Sequence, residues 1–184
     1  MASYYYLVAQ LPSLQPNLAP PLSTAQFREL SLRFLSKKDA AILEKLSLEP
    51  PIEYEKTGSV FLDNWYRFER ELRVTLAQAR ASRLRWNVPE SVKKAEVSDI
   101  GLVQAVRAAT DFDDPLEAET YLDKLRFAAA DRFMPQDYFT ADAVFAYGIK
   151  LLLLERMAHF TVEEGKKEYT VLYNTILGES YDRK

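Results

Sequence analysis

Residues 59–86 contain no glycine and no proline, and their apolar side chains recur at the spacing of one helical face. At about 1.5 Å of rise per residue, one helix over this range is roughly 40 Å long, which is longer than a small core needs. Four of its five aromatic residues lie in its first part, and six arginines lie in roughly its second two-thirds. The sequence therefore predicts a helical fold built against this one long element.

The remainder of the chain carries a series of helix-start signatures. Five glycines against nine prolines favour helices with proline-marked ends over a sheet of many hairpins. Serine, threonine or aspartate precedes each apolar run, several times with glutamate or glutamine three residues later, which is typical of helix N-caps. Beside the long helix, the predicted helices begin near Ser23, Ser36, residue 98, Asp114, Thr140 and Thr161.

We expect one all-α domain over residues 1–184, with six or seven helices. The four-leucine run 151–154 predicts a central, buried helix. The tyrosine-rich residues 4–11 could form a short N-terminal strand or equally a short helix, because the run is too brief for periodicity to decide. The proline-rich residues 12–22 should form an extended connection.

The sequence offers little chemistry. The absence of cysteine excludes a disulfide, a thiol nucleophile and a Cys-ligated metal, and His159 is the sole histidine. The acidic run 111–114 lacks the glycine and distal glutamate of a calcium loop, and the five glycines do not cluster into a phosphate cradle. We therefore predict no catalytic residue, no cofactor and no metal. The start does not resemble a signal peptide and no apolar stretch could span a bilayer, which predicts a cytoplasmic protein.

Charge is unevenly distributed although the net value is only −3. Residues 59–97 hold eight basic against five acidic side chains, whereas residues 98–142 hold four basic against ten acidic. These segments could lie against each other or could form separate docking faces for partners of complementary charge. The docking interpretation gives a set of candidate partner-binding residues: Tyr66, Arg80, Arg83, Arg85, Trp86, Asp111, Asp113, Glu119 and Asp123.

Three motifs carry a family resemblance. They are Tyr-Tyr-Tyr-Leu-Val-Ala-Gln-Leu-Pro at 4–12, Pro-Pro-Leu-Ser at 20–23 and Phe-Leu-x-x-Trp-Tyr-x-Phe-Glu-Arg-Glu-Leu-Arg at 61–73. Together they resemble a bacterial family of formally unknown function whose members occur beside the subunits of V/A-type ATPases. That family is more distantly similar to the d-type subunit of these ATPases, an all-helical socket that joins the central stalk to the membrane rotor ring.

The resemblance implies a non-catalytic subunit or accessory of a bacterial V/A-type ATPase. Its partners would be other subunits of the complex, in the central stalk and rotor ring, and it would meet the membrane only through that complex. No nucleic-acid partner is implied. A free-standing helical adaptor or regulator remains an alternative, and a nucleic-acid-binding domain that uses the basic helix is a third.

Overall fold

The computed structural model describes residues 4–16, 18–53, 56–87, 89–95, 97, 99–160, 165 and 169–175. All regular secondary structure in these residues is helical, which confirms the predicted fold class. Residues 169–175 are helical, whereas the cap predicted at Thr161 lies outside the described residues. The remaining helices are α1 (Tyr5–Val8), α2 (Thr24–Leu32), α3 (Lys37–Glu44), α4 (Val60–Leu84), α5 (Glu90–Lys93), α6 (Ile100–Thr110), α7 (Pro115–Phe133) and α8 (Ala141–His159).

The predicted N-caps form as expected. At α2, Ser23 Oγ accepts from the Gln26 backbone N–H at 3.2 Å, and Gln26 Oε1 accepts from the Ser23 N–H at 2.8 Å. This reciprocal pair satisfies two backbone donors that have no partner within the helix. Single side-chain caps begin α3, α4, α7 and α8, at Ser36, Ser59, Asp114 and Thr140 respectively.

Two boundary predictions need correction. Of the two alternatives for residues 4–11, the short helix is confirmed and the strand is wrong, because Tyr5–Val8 form a helical turn whose Leu7 is fully buried. The Tyr4 N–H donates to the Phe139 carbonyl at 2.7 Å, which fixes the start of this turn. The long helix ends at Leu84 rather than at residue 86. Arg85 adopts a left-handed conformation (φ 54°), and the next N–H turns back to the Ala81 carbonyl at 3.0 Å.

The first part of α4 and the middle of α8 form the centre of the core. Phe61, Trp65 and Leu72 on α4 are essentially inaccessible, as are Leu151 and Leu153 on α8. Helices α6 and α7 pack on α4, α7 also packs on α8, and α2 covers α8 from another side. The buried apolar side chains form one contiguous cluster, so the aromatic part of α4 serves the core as its spacing predicts.

Helix α8 also caps two other helices from a distance. The Asp142 carboxylate accepts from Ser59 Oγ at 2.6 Å and from the Phe61 N–H at 3.2 Å, at the start of α4. The Glu155 carboxylate accepts from the Thr24 N–H at 2.6 Å and from the Thr24 hydroxyl at 2.5 Å, at the start of α2. Carboxylates are favourable at helix N-termini because the backbone dipoles point their positive ends there. Helix α8 therefore fixes the entry points of both helices.

Candidate interaction surface at the end of α4

A cluster of charged side chains lies buried between α4, α7 and α8. At its centre, Arg126 Nε donates to Glu69 Oε2 at 3.1 Å and Arg126 Nη1 donates to Asp123 Oδ1 at 2.9 Å. Glu69 is 2% exposed and Asp123 is fully buried. Buried charges are tolerated when they are paired and hydrogen-bonded, as these are. We call Glu69, Glu119, Asp123, Arg126 and Arg156 the ionic cluster.

The ionic cluster extends from the core to the surface. Arg156 donates to Asp123 Oδ1 and to Glu119 Oε2, both at 2.8 Å. Arg80, which is well exposed on α4, lies 3.7 Å from Glu119 Oε1. The basic helix and part of the acidic segment therefore lie against each other, which favours the first of the two charge interpretations for Arg80 and Glu119.

Burial raises the pKa of Asp123, although the charges of Arg156 and Arg126 act in the opposite direction. The second carboxylate oxygen, Oδ2, has no hydrogen-bond partner and no access to solvent, which fits this direction. Asp123 consequently has no exposed surface for a partner, and its prediction as a partner-binding residue is wrong. Glu119 is partly exposed, but its carboxylate already binds Arg156.

The prediction for Tyr66 is also wrong. The sequence predicts an exposed anchor off the apolar stripe, yet Tyr66 is 6% exposed. The stretch between α3 and α4 covers this side of α4, and Arg70 Nη2 holds it by donating to the Pro51 carbonyl at 2.8 Å. Burial raises the Tyr66 pKa, while contacts with the Ser47 backbone and Arg70 lower it. Tyr66 instead lines a cavity of about 610 Å³ under this stretch.

The end of α4 presents a different surface, which we call the α4 tip (Arg83, Leu84, Arg85 and Trp86). Trp86 is 69% exposed and Leu84 is 51% exposed, and both arginines lie at the surface. Arg83 Nη1 donates to the Thr110 carbonyl at 2.6 Å, at the last residue of α6. A cation at a helix C-terminus is favourable, so this contact attaches the tip to the rest of the fold.

A groove of about 470 Å³ opens beside Trp86. It exists because Gln78 Nε2 donates to the Val92 carbonyl at 2.7 Å and to the Ala95 carbonyl at 3.1 Å, which holds the α5 segment alongside α4. Lys93 contributes a cation to the lining, and Gln78 and Ser82 make most of the rest polar. The groove thus places the Trp86 ring beside polar side chains and one positive charge, and no local pattern in the sequence predicts it.

The connection between α6 and α7 places acidic side chains next to the α4 tip. We call residues 111–117 the acidic junction. Asp111, Asp113 and Glu117 are exposed, and Phe112 and Leu116 are each 37% exposed beside them. The Arg83–Thr110 contact makes the two surfaces neighbours. Among the candidate residues, the structure therefore brings together Arg83, Arg85, Trp86, Asp111 and Asp113.

The described residues contain no group of three His, Cys, Asp or Glu side chains arranged to hold a metal ion. In the same part of the chain, no helix combines the length and apolar character needed to cross a bilayer. No protein-family model, no curated protein and no solved structure matches the chain.

Proposed function

We propose that this protein is a non-catalytic accessory or subunit of a bacterial V/A-type ATPase that binds neighbouring subunits through the α4 tip. The single observation that supports a binding role is the exposed Trp86 on a rigid helix end beside Arg83 and Arg85. Tryptophan and arginine are the side chains most enriched among residues that dominate binding energy at protein interfaces.

Contacts within the chain hold the tip in the conformation that the structure shows. The turn at Arg85 and the bond from the Trp86 N–H to Ala81 fix the backbone, while Arg83 is tied to α6. A surface held in one conformation loses little conformational freedom on association, so more of its contact energy appears as affinity. These features support recognition better than an incidental exposure of apolar side chains would.

The ATPase assignment is supported by the motif resemblance. The motif at 61–73 provides core residues of α4, and the motif at 4–12 provides α1, which is tied to the loop before α8. The shared residues therefore specify the fold, and the partner contacts fall outside them. In this proposal the protein is cytoplasmic, reaches the membrane only through the complex, and acts mechanically through shape and charge complementarity with the central stalk or rotor ring.

The test is affinity capture of the tagged full chain from its native source, followed by quantitative mass spectrometry. We expect ATPase subunits to be recovered with the wild type and to fall at least about tenfold with Trp86→Ala, because truncating such an anchor commonly costs more than ~1.4 kcal/mol of binding. Tyr138→Ala is the matched control, since Tyr138 is similarly exposed (59%) and lies before α8 rather than at the tip. Recovery of no ATPase subunit with the wild type would overturn the assignment.

Two other functions lead to different results in the same experiment. A free-standing adaptor would capture another protein in a Trp86-dependent way and no ATPase subunit. A nucleic-acid-binding domain would bind DNA or RNA at low salt with affinity that falls steeply as salt rises. The acidic junction disfavours this last function, because Asp111 and Asp113 would repel phosphates approaching the neighbouring arginines.

A further inference from the structure

We infer that the α4 tip of one molecule binds the acidic junction of a second copy, so that the protein forms a symmetric dimer through this end. The inference rests on the proposed role of the tip as an interaction site and specifies one occupant for it. The occupant is argued from charge complementarity and from the position of the two surfaces next to each other.

The two surfaces complement each other in charge. The tip carries the exposed Arg85, and Lys93 lines the groove beside Trp86. The junction carries the exposed carboxylates of Asp111, Asp113 and Glu117, whereas Asp114 is engaged as the N-cap of α7 through a 2.8 Å bond to the Leu116 N–H. Opposite charges arranged in this way steer association and fix register.

The apolar parts also match. Phe112 and Leu116 interleave with the acidic residues of the junction and are only partly covered, although the Phe112 ring contacts Tyr121 at 5.6 Å between centroids. The tip offers the exposed side chains of Trp86 and Leu84 as their apolar counterpart, beside a groove whose lining is largely polar (Gln78, Ser82 and Lys93). An interface with an apolar centre and a charged rim is the usual arrangement for protein recognition.

The side-by-side placement makes this end self-complementary. In a two-fold symmetric dimer every contact occurs twice, so if the tip of one molecule binds the junction of the other, the second tip also binds the first junction. Arg83 Nη1 lies 2.6 Å from the Thr110 carbonyl, so the tip and the junction are adjacent on one molecule. A two-fold axis between them creates two copies of the same tip–junction contact, which doubles the interaction without requiring any new surface.

Self-association and partner binding then exclude each other, because both use Trp86 and its groove. The dimer keeps the tip covered until a partner with higher affinity displaces the second copy. An acidic-junction variant that cannot dimerise should therefore capture ATPase subunits as well as the wild type or better.

The experiment is sedimentation velocity on the full chain over a range of concentrations, at about 50 mM and about 500 mM salt. We expect a monomer–dimer equilibrium that shifts toward monomer at high salt. Arg85→Glu and Asp113→Lys should each weaken the dimer at least about tenfold, whereas a mixture of the two variants should restore dimers. In that mixture, one interface is the native pairing and the other is the reversed pairing of Glu with Lys.

Lys37→Glu and Glu44→Lys, on exposed positions of α3, reproduce the charge changes away from this end and should leave the dimer unchanged. A monomer under every condition, or a mixture that fails to restore dimers, overturns the inference. The two proposals fail separately. Trp86-dependent capture of ATPase subunits by a monomeric protein refutes the dimer alone, and a dimer without such capture refutes the ATPase role alone.

Discussion

The middle and the end of α4 carry charged side chains in different surroundings. In the middle, Glu69 is 2% exposed and is held by Arg126 from α7. At the end, Arg85 lies in solvent beside Trp86. A charged side chain thus stabilises a packed interface in the middle of α4 and remains available for recognition at its end. The difference is whether a neighbouring helix buries the charge, because only a buried charge depends strongly on its partner.

The largest expected effect comes from removing a buried charge beside the middle of α4. Arg126→Ala removes the cation that joins Glu69 and Asp123, so that Glu69 keeps only the half-exposed Arg73 and Asp123 keeps only Arg156. Removing one partner of a buried ion pair costs about 3–5 kcal/mol of unfolding free energy. Urea unfolding followed by circular dichroism measures the loss.

Arg33→Ala is the matched control for that variant, because Arg33 also bonds a glutamate, Glu29, but both side chains are largely exposed. We expect a change within about 0.5 kcal/mol there. If Arg126→Ala cost no more than Arg33→Ala, the ionic cluster would contribute nothing specific to stability.

A smaller effect with a distinctive pH dependence is expected for Asp123→Asn. Asparagine keeps an oxygen that can accept from Arg126 and Arg156, so we expect a smaller loss than for Arg126→Ala. Burial raises the Asp123 pKa above its ordinary value of 3.8, so the folded state binds this proton more tightly than the unfolded state. The contribution of the group is then fully present below pH 3.8 and is lost as pH rises through the raised pKa.

The measurement is the unfolding free energy of the wild type and Asp123→Asn as the pH is lowered from about 7 to about 4, toward the ordinary carboxyl pKa. The wild type should gain stability relative to the variant as pH falls, since asparagine does not titrate. A wild type that instead loses stability relative to the variant would mean that the two arginines outweigh burial and hold the pKa low.

The smallest effect is expected at Arg80, which lies between the two regions. Its side chain is 60% exposed, and its Nη2 lies 3.7 Å from Glu119 Oε1. Solvent screens such a pair, so Arg80→Ala should cost about 0.2–1 kcal/mol and less at high salt. A loss as large as that of Arg126→Ala would place Arg80 with the buried charges and move the boundary between the two regions toward the tip.

Local signals predict helix starts well and tertiary surroundings poorly. Ser23 and Ser59 can be identified because an N-cap acts within three residues of itself. The predicted end of α4 falls two residues late, because no glycine or proline marks the left-handed Arg85. Glu69 and Arg126 are 57 residues apart, so no local spacing could pair them.

The predictions for the candidate site are right or wrong for the same reason. Arg85 is predicted as a surface residue because it has no local acidic partner, and Trp86 because it falls off the apolar stripe, and both are exposed. The prediction for Tyr66 is wrong because the stretch that covers it belongs to another part of the chain. That for Asp123 is wrong because Arg156 binds it from α8, 33 residues away, in addition to Arg126 on its own helix. Exposure on a helix depends on which faces neighbouring segments cover, and one-face periodicity does not report a second covered face.

The two caps donated by α8 have a consequence for synthesis on the ribosome. Thr24 and Glu155 are 131 residues apart, and Ser59 and Asp142 are 83 apart. The first turns of α2 and α4 therefore lack these acceptors while the intervening helices are being translated. Because contacts of such long sequence separation form late, the amino-terminal half cannot reach its final packing until α8 has left the exit tunnel. Until then, the helices already synthesised are exposed to proteases and to aggregation with other nascent chains.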